Sequence, residues 1–376
     1  ASKAFSVKAI YEICKSEGLG ADVVSGCELL TALDAGMNAD NIYFHGNNKS
    51  PFELELAVKH GVHAVVVDSF FEMDVLESIC ASLNKKIKAL VRVNPGIDAH
   101  THFIQTTRVD SKFGFSIADG TALEAIKSVS QRPHIEFAGI HCHIGSQIFE
   151  LKPFELAVEK MTDFILAIKK ETGLKVSELN MGGGYGVTYT EEDKPLKPEE
   201  YVKAIVAKLN ECISDKKIEK PRLILEPGRS IVGEAGITLY TVGAIKEIKG
   251  IKKYISVDGG MFENPRYALY EAKYEAVMAD SMREEKTETV TVAGKCCESG
   301  DMLVVDAKLP RAQSGNLLAV LTTGAYNYSM ASNYNRNPVP PVVLVNEGKS
   351  DYIVKPQTYE DIMSRDVYPY WSERTK

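Results

Sequence analysis

No apolar run in this chain approaches the length of a membrane-spanning helix, so a helical membrane anchor is not expected. Low-complexity tracts are missing too, which leaves a composition typical of soluble globular proteins, 44% hydrophobic and 25% charged. The seven cysteines are odd in number and follow no repeated spacing, which argues against a disulfide framework and for a reducing cytoplasm. Basic charge is in deficit: the net charge of −7 argues against nucleic acid or an anionic membrane as the main partner. The opening residues Ala1-Ser2-Lys3-Ala4-Phe5 contain neither a signal peptide nor an initiator methionine, so the chain is expected to begin inside a longer protein.

What is present is length and alternation. At 376 residues the chain exceeds one ordinary core, and two domains are expected. Eight short strand-like runs, at 1–3, 21–25, 41–46, 64–68, 88–96, 136–146, 178–184 and 222–229, alternate with stretches whose apolar residues recur at helical spacing, such as 50–59, 71–83, 153–171 and 198–214. That order predicts a (β/α)8 TIM barrel over 1–234, with chemistry at the C-terminal strand ends. Beyond it, Val-, Ile- and Thr-rich runs at 237–248, 254–257, 288–293, 317–323 and 342–345 predict a mostly β domain over 235–376. Within that domain, 263–283 is expected to be an irregular insertion.

Several candidate chemical groups fall at the barrel strand ends. Asn180-Met181-Gly182-Gly183-Gly184-Tyr185-Gly186 can form a nest of backbone amides for an anion, although a glycine-rich turn is more often only a turn. Glu226, in Leu225-Glu226-Pro227-Gly228-Arg229, ends an apolar strand; a structural salt bridge to Arg229 explains it as well as function does. His141 and His143 are two apart, which suggests a metal, but a core or stacking role is the stronger reading. Taken together, nest, terminal carboxylate, aromatic base and arginine suit a phosphorylated heteroaromatic cofactor with a basic ring nitrogen. In the second domain, Cys296-Cys297-Glu298-Ser299-Gly300-Asp301 places a thiol beside a carboxylate, and a glycine-flanked tyrosine expected on a strand comes next in Gly324-Ala325-Tyr326-Asn327-Tyr328.

These runs, with Asp22-Val23-Val24-Ser25-Gly26, Phe44-His45-Gly46-Asn47-Asn48-Lys49, Arg92-Val93-Asn94-Pro95-Gly96, Asp110-Ser111-Lys112-Phe113-Gly114 and His143-Ile144-Gly145-Ser146, resemble the diaminopimelate decarboxylases over essentially the whole chain. The Cys-Glu-Ser-Gly-Asp run is specific to that branch; ornithine and arginine decarboxylases of the same fold share only part of the set. Two lysines compete for the family's cofactor lysine. Lys3 lies 19 positions before Asp22, the family's separation, whereas Lys8 needs an intervening helix five residues shorter and falls within the helical pattern Val7, Ile10, Tyr11, Cys14. Lys3 is therefore chosen.

The resemblance implies pyridoxal 5′-phosphate held as a Schiff base on Lys3, with the amine's pKa lowered by burial and cationic neighbours. It implies Glu226 at the pyridine nitrogen, His143 stacked on the ring, Arg92 on the ring-hydroxyl side, and Asp22, Ser146, Gly183, Gly184, Gly228, Arg229 and Tyr326 among the cofactor-binding residues. The implied substrate is meso-diaminopimelate, decarboxylated at its D centre to L-lysine. Arg266, Tyr270, Arg229 and Tyr326 would contact it, and Glu298 would pair with its distal ammonium. Cys297 or Lys3 would protonate the carbanion, and Cys296 is read as a small buried hydrophobe. A homodimer with shared active sites is implied as well. The rival readings are an ornithine- or arginine-type decarboxylase, which leaves Arg266 and Glu298 unexplained, and a non-catalytic cofactor-binding regulatory paralogue, which leaves Cys297 unexplained.

Overall fold

The computed structural model describes residues 1–97 and 111–372. Asp110, part of one motif above, lies outside them. The chain divides into two compact units, Ala1–Gly233 and Glu234–Lys376.

The strands of the first unit are β1 (Ala21–Val23), β2 (Ile42–Phe44), β3 (Ala64–Val67), β4 (Ile87–Asn94), β5 (Phe115–Ser116), β6 (Ile135–His141), β7 (Glu178–Asn180) and β8 (Arg222–Ile224). They pair in parallel in the order β1-β2-β3-β4-β6-β7-β8, with β5 added beside β4. Helices α1 (Lys8–Ser16), α2 (Gly26–Asp34), α3 (Pro51–His60), α4 (Phe70–Ser82), α5 (Thr121–Ser130), α6 (Lys152–Thr172), α7 (Pro198–Lys216) and α8 (Arg229–Val232) alternate with them. Local sequence sets the helix starts. Ser25, Ser50 and Ser69 each accept an amide hydrogen bond at the head of α2, α3 and α4, and Glu53 closes a capping box with Ser50. Residues 1–3, expected as a strand, instead form a 3-10 turn over Ser2–Ala4. Ser2 and Ala4 pack inward, and Ala1 and Ala4 lie against Gly228, where any side chain would meet Ala1 and Ala4 atoms at 3.0–3.2 Å.

Side-chain parity divides this sheet into two faces. Ile42, Phe44, Val65, Val67, Ala89, Val91 and Val93 join the large core shared with the helices. The alternate residues Tyr43, Ala64, Val66, Leu90 and Ala138, with Ile224 beside them, form a separate inner cluster. At the start of β7, Glu178 accepts from the Tyr43 hydroxyl at 2.8 Å and lies 2.7 Å from His63 Nε2. The next inward rung toward the C-terminal ends holds His45, Asp68, Arg92 and Glu226, two residues beyond Tyr43, Val66, Leu90 and Ile224. A register shift where Ala138 is inserted between the partners of Ala89 and Leu90 brings His141 opposite Arg92. The inward face thus changes from apolar to ionisable in one step of the strand repeat.

In the second unit, β9 (Thr238–Ile248), β10 (Lys252–Val257), β11 (Ala276–Met278), β12 (Glu288–Ala293), β13 (Met302–Leu309) and β14 (Leu317–Val320) form one sheet in the order β11-β14-β9-β10-β12-β13. Only the β10–β12 pairing is parallel among these. β15 (Val342–Asn346) and β16 (Lys349–Val354) make a hairpin whose turn residues Glu347 and Gly348 both have positive φ, 49° and 76°. The segment expected to be irregular holds a short helix, α9 (Arg266–Tyr270), and β11, which is too brief for an alternation signal. α10 (Tyr359–Met363) lies after the hairpin.

Candidate functional site

The mouth of the parallel sheet is built around Glu226. Its side chain is 9% exposed, and a carboxylate removed from water that far costs several kcal/mol unless donors surround it. Asn180 Nδ2 donates to Oε1 at 2.6 Å, His45 Nε2 lies 2.7 Å from the same oxygen, and His141 Nε2 lies 3.2 Å from Oε2. Burial alone would raise the Glu226 pKa, but His45 and His141 outweigh it and hold the carboxyl well below its usual range. Burial pushes His141 down to about 4 against the opposing pull of Glu226, so its ring is neutral near pH 7. The salt bridge from Glu226 to Arg229 allowed by the sequence is not the arrangement found, since Arg229 bonds elsewhere.

His45 is fixed by the loop that leads from it to α3. Lys49, fully buried, donates to the Gly46 carbonyl at 2.6 Å and the Val66 carbonyl at 2.8 Å, and pairs with Glu72 at 2.7 Å. That clamps the β2–α3 loop onto β3. Arg92 lies 3.9 Å from Asp68 and stacks over the Phe113 ring at 4.3 Å.

Beside Glu226 lies the glycine turn after β7. Gly182 and Gly184 have φ of 66° and 114°, and a Cβ on Gly183 would fall 2.1 Å from the Glu226 carbonyl oxygen, so only glycine fits. The Gly183 amide donates to His143 Nδ1 at 3.4 Å, and burial, then Lys3 and Arg92, hold His143 well below the ordinary histidine pKa. A neutral imidazole with its Nδ1 engaged presents a flat face. Arg229, 6% exposed, donates to Ser146 Oγ at 3.0 Å and to the Tyr189 hydroxyl. Glycine amides, a hydroxyl and a held guanidinium form a donor set for a phosphate. Asp22 is buried, and its Oδ1 has no hydrogen-bond partner among the described residues, as expected of a group that awaits a ligand.

Lys3 is exposed, contrary to the buried amine expected, because its neighbours Ser2 and Ala4 take the inward positions of the turn. Its charge nevertheless acts on His143 and Glu28. Lys8 lies on the solvent face of α1 and pairs with Asp34, both more than 60% exposed.

The first unit therefore brings together Lys3, Asp22, Arg92, His143, Ser146, Gly183, Gly184, Glu226, Gly228 and Arg229. The remaining candidates belong to the second unit. There Asp301, 2% exposed, accepts from the amides of Met261 and Cys296, both at 2.7 Å, and folds the loop after β12 around its carboxylate. Cys297 and Glu298 are left exposed at the tip, and the Cys297 amide donates to Asn335 at 2.8 Å. Cys296 is buried, as read from the sequence. Arg266, 8% exposed, donates to the Tyr274 hydroxyl at 2.5 Å, and Asn327 donates to that hydroxyl at 3.2 Å. Tyr270 ends the same helix, half-buried. Tyr326 stands not on a strand but in a turn after β14, with φ of 61°, because β14 stops at Val320. Sequence reading gave no role to His45, Asn180, Tyr189, Lys49 or Tyr274. Strand parity was the available signal for His45.

Comparison with known proteins respects the same division. Residues 1–233 match the pyridoxal-dependent decarboxylase family, pyridoxal binding domain. The chain is 50% identical to the diaminopimelate decarboxylase of Bacillus subtilis over 368 residues, 98% of this chain and 84% of the relative. A crystal structure of diaminopimelate decarboxylase from M. jannaschii in complex with L-lysine superposes with a TM-score of 0.90 at 34% identity, covering 98% of this chain and 84% of that one. The Helicobacter pylori enzyme complexed with L-lysine gives 0.88 at 33% identity, covering 96% and 88%.

The electrostatics of the mouth can be checked directly. The His141 ring signals should titrate by NMR with a midpoint of about 4, and lower still in Glu226→Gln, which removes the charge that favours protonation. Because the folded pKa lies below the unfolded value of about 6.5, stability from this group is complete above pH ~6.5 and lost as pH falls toward 4. A midpoint near 6.5 would contradict the buried, neutral assignment.

Proposed function

The chain belongs to the diaminopimelate decarboxylases, and on that footing we propose that it is a pyridoxal phosphate-dependent enzyme that converts meso-2,6-diaminopimelate to L-lysine and carbon dioxide. The observation that carries the reading is the pairing of a buried, ionised Glu226 with a phosphate cup at one strand-end mouth. The cofactor fits this donor set: Ser146, Gly183, Gly184, Gly228 and Arg229, with Tyr326, would hold its phosphate, and Asp22 and Arg92 would complete the polar wall. When bound, pyridoxal phosphate supplies the electron sink that accepts the electron pair left as carbon dioxide departs.

The residues then have separate tasks. Lys3, exposed, would supply the amine that holds the cofactor covalently. Glu226, held ionised, would keep a proton at the ring nitrogen, which a neutral carboxyl would not. His143, neutral, would pack against a ring face without adding charge there. Arg266 and Tyr270, one helical turn apart on α9, would bind the carboxylate of the non-reacting end with Arg229 and Tyr326; Glu298 would bind its ammonium. Cys297 or Lys3 would deliver the proton that replaces the lost carboxylate, so one C–C bond is broken and one C–H bond formed.

We place the reaction in the cytoplasm, where the seven free thiols suit a reducing environment. The assembly that suits it is a homodimer, because Cys297 and Glu298 sit on an exposed loop of a separate unit and a two-fold arrangement lets each loop complete the partner's barrel.

Two outcomes are expected. Borohydride reduction of the cofactor-loaded protein and peptide mapping should find the pyridoxyl group on Lys3, and Lys8→Ala should keep both the cofactor absorption and activity. A label on Lys8 would overturn the lysine assignment. Co-refolding Lys3→Ala with Cys297→Ala, each inactive alone, should restore about a quarter of wild-type activity, since about half the dimers are mixed and each has one intact site. No recovery, with mixed dimers demonstrated, would sink the shared site.

A further inference from the structure

The side chains that hold Glu226 come from three different strand ends, and none of them has a place in the roles assigned so far. Asn180 has only one orientation open to it. Its Oδ1 accepts from the Gly182 amide at 2.9 Å, so its Nδ2 faces Glu226 Oε1. His141 approaches Oε2 through Nε2, which places the ring proton there, and its Nδ1 is buried with no hydrogen-bond partner among the described residues. His45 Nε2 comes within 2.7 Å of Oε1 from the loop after β2, an ion-pair contact and not a directed hydrogen bond. The two imidazoles brace each other edge to face, with centroids 4.8 Å apart and planes at 71°. Oε1 thus has one hydrogen bond and one ion-pair contact and Oε2 one hydrogen bond, so Oε2 retains capacity for a further donor. The other ionisable groups that act on Glu226 or lie beside it are Tyr43 on β2, Arg92 on β4, and Cys142 and His143 after β6.

We propose that His45 and His141 are positioning residues that, with Asn180, lock the Glu226 carboxylate in one orientation and thereby set the protonation of the cofactor's ring nitrogen. This rests on the reading that Glu226 faces that nitrogen. With either imidazole gone, the carboxylate loses a charge-assisted partner and gains freedom to rotate or protonate, so its hold on the ring proton weakens. The phosphate cup shares no side chain with this cradle, so the cofactor should still bind. One ligand atom each from His45, His141 and Glu226, all within 4.8 Å of one another, is also spaced as a cation site would be, and the experiment separates the two uses.

The protein is loaded with pyridoxal phosphate labelled with nitrogen-15 in the ring, and the ring-nitrogen chemical shift is tracked against pH. Wild type should keep the protonated shift across the neutral range. His45→Leu and His141→Leu should each move the shift toward the unprotonated value at lower pH and lower kcat by about tenfold to a hundredfold with little change in KM. His45→Gln and His141→Gln, which retain a donor near the Nε2 position, should recover part of both effects and keep the readout available if a leucine variant does not fold. Glu226→Gln should abolish the protonated shift. If it does while the histidine variants all match wild type, the cradle is overturned and the reading of Glu226 survives. If Glu226→Gln keeps the protonated shift, the underlying reading fails instead. Zinc retained at these three residues in the cofactor-loaded protein would also overturn the proposal, by assigning them to a metal.

Discussion

A carboxylate buried at the mouth of a parallel sheet survives as a charge only if fixed donors replace the water it has lost. At Glu226 three side chains take the water's place, His141 and Asn180 by hydrogen bonds and His45 by an ion-pair contact, and they come from segments far apart in sequence: the end of β6, the end of β7 and the β2–α3 loop. Their convergence is what the alternation of strand and helix achieves. Parallel strands put every C-terminal end on one side, and a two-residue side-chain repeat turns one residue per strand inward there. The lysine clamp from Lys49 to Val66 and Glu72 and the register shift in β6 are small adjustments that bring His45 and His141 to the same carboxylate.

The glycine turn after β7 depends on the same crowding. Gly183 approaches the Glu226 backbone so closely that a methyl group has no room, and Gly182 and Gly184 take conformations that L-residues avoid. Amide donors and carboxylate therefore lie beside one another, as an anionic, basic heterocycle requires. In the second unit a different device performs a similar task. Asp301 is buried among backbone amides, and its charge organises a loop whose tip carries Cys297 and Glu298 into solvent.

Much of this was legible in the amino-acid order. The parallel strands β1–β4 and β6–β8 were visible as short apolar runs, while the two-residue β5 was not, and helices such as α3 and α6 announced themselves by spacing. Glu226, Arg229 and the glycine turn could be picked out because each stands at a strand end. What was not legible needed three-dimensional pairing. The partners of Glu226 lie up to 181 positions away in the chain, as His45 does, and no local pattern links them. The first three residues read as a strand because three residues carry no usable period, and β11 was missed for the same reason. β13 and β16 escaped because Asp306, Lys308, Asp351 and other polar residues break up their apolar runs. Tyr326 was placed on a strand because the apolar run 317–323 leads up to it, whereas β14 stops at Val320 and Gly324 comes before the tyrosine.

The reaction proposed for this chain is decarboxylation of one end of a molecule that carries an amino-acid group at both ends. The most direct measurement is product formation by the cofactor-loaded protein from meso-diaminopimelate, the L,L isomer, ornithine and arginine, assayed side by side. L-lysine and carbon dioxide released in equal amounts from the meso compound alone is the predicted result. Turnover of ornithine or arginine in preference to meso-diaminopimelate, or no turnover of any of the four with the cofactor shown to be bound, would contradict it.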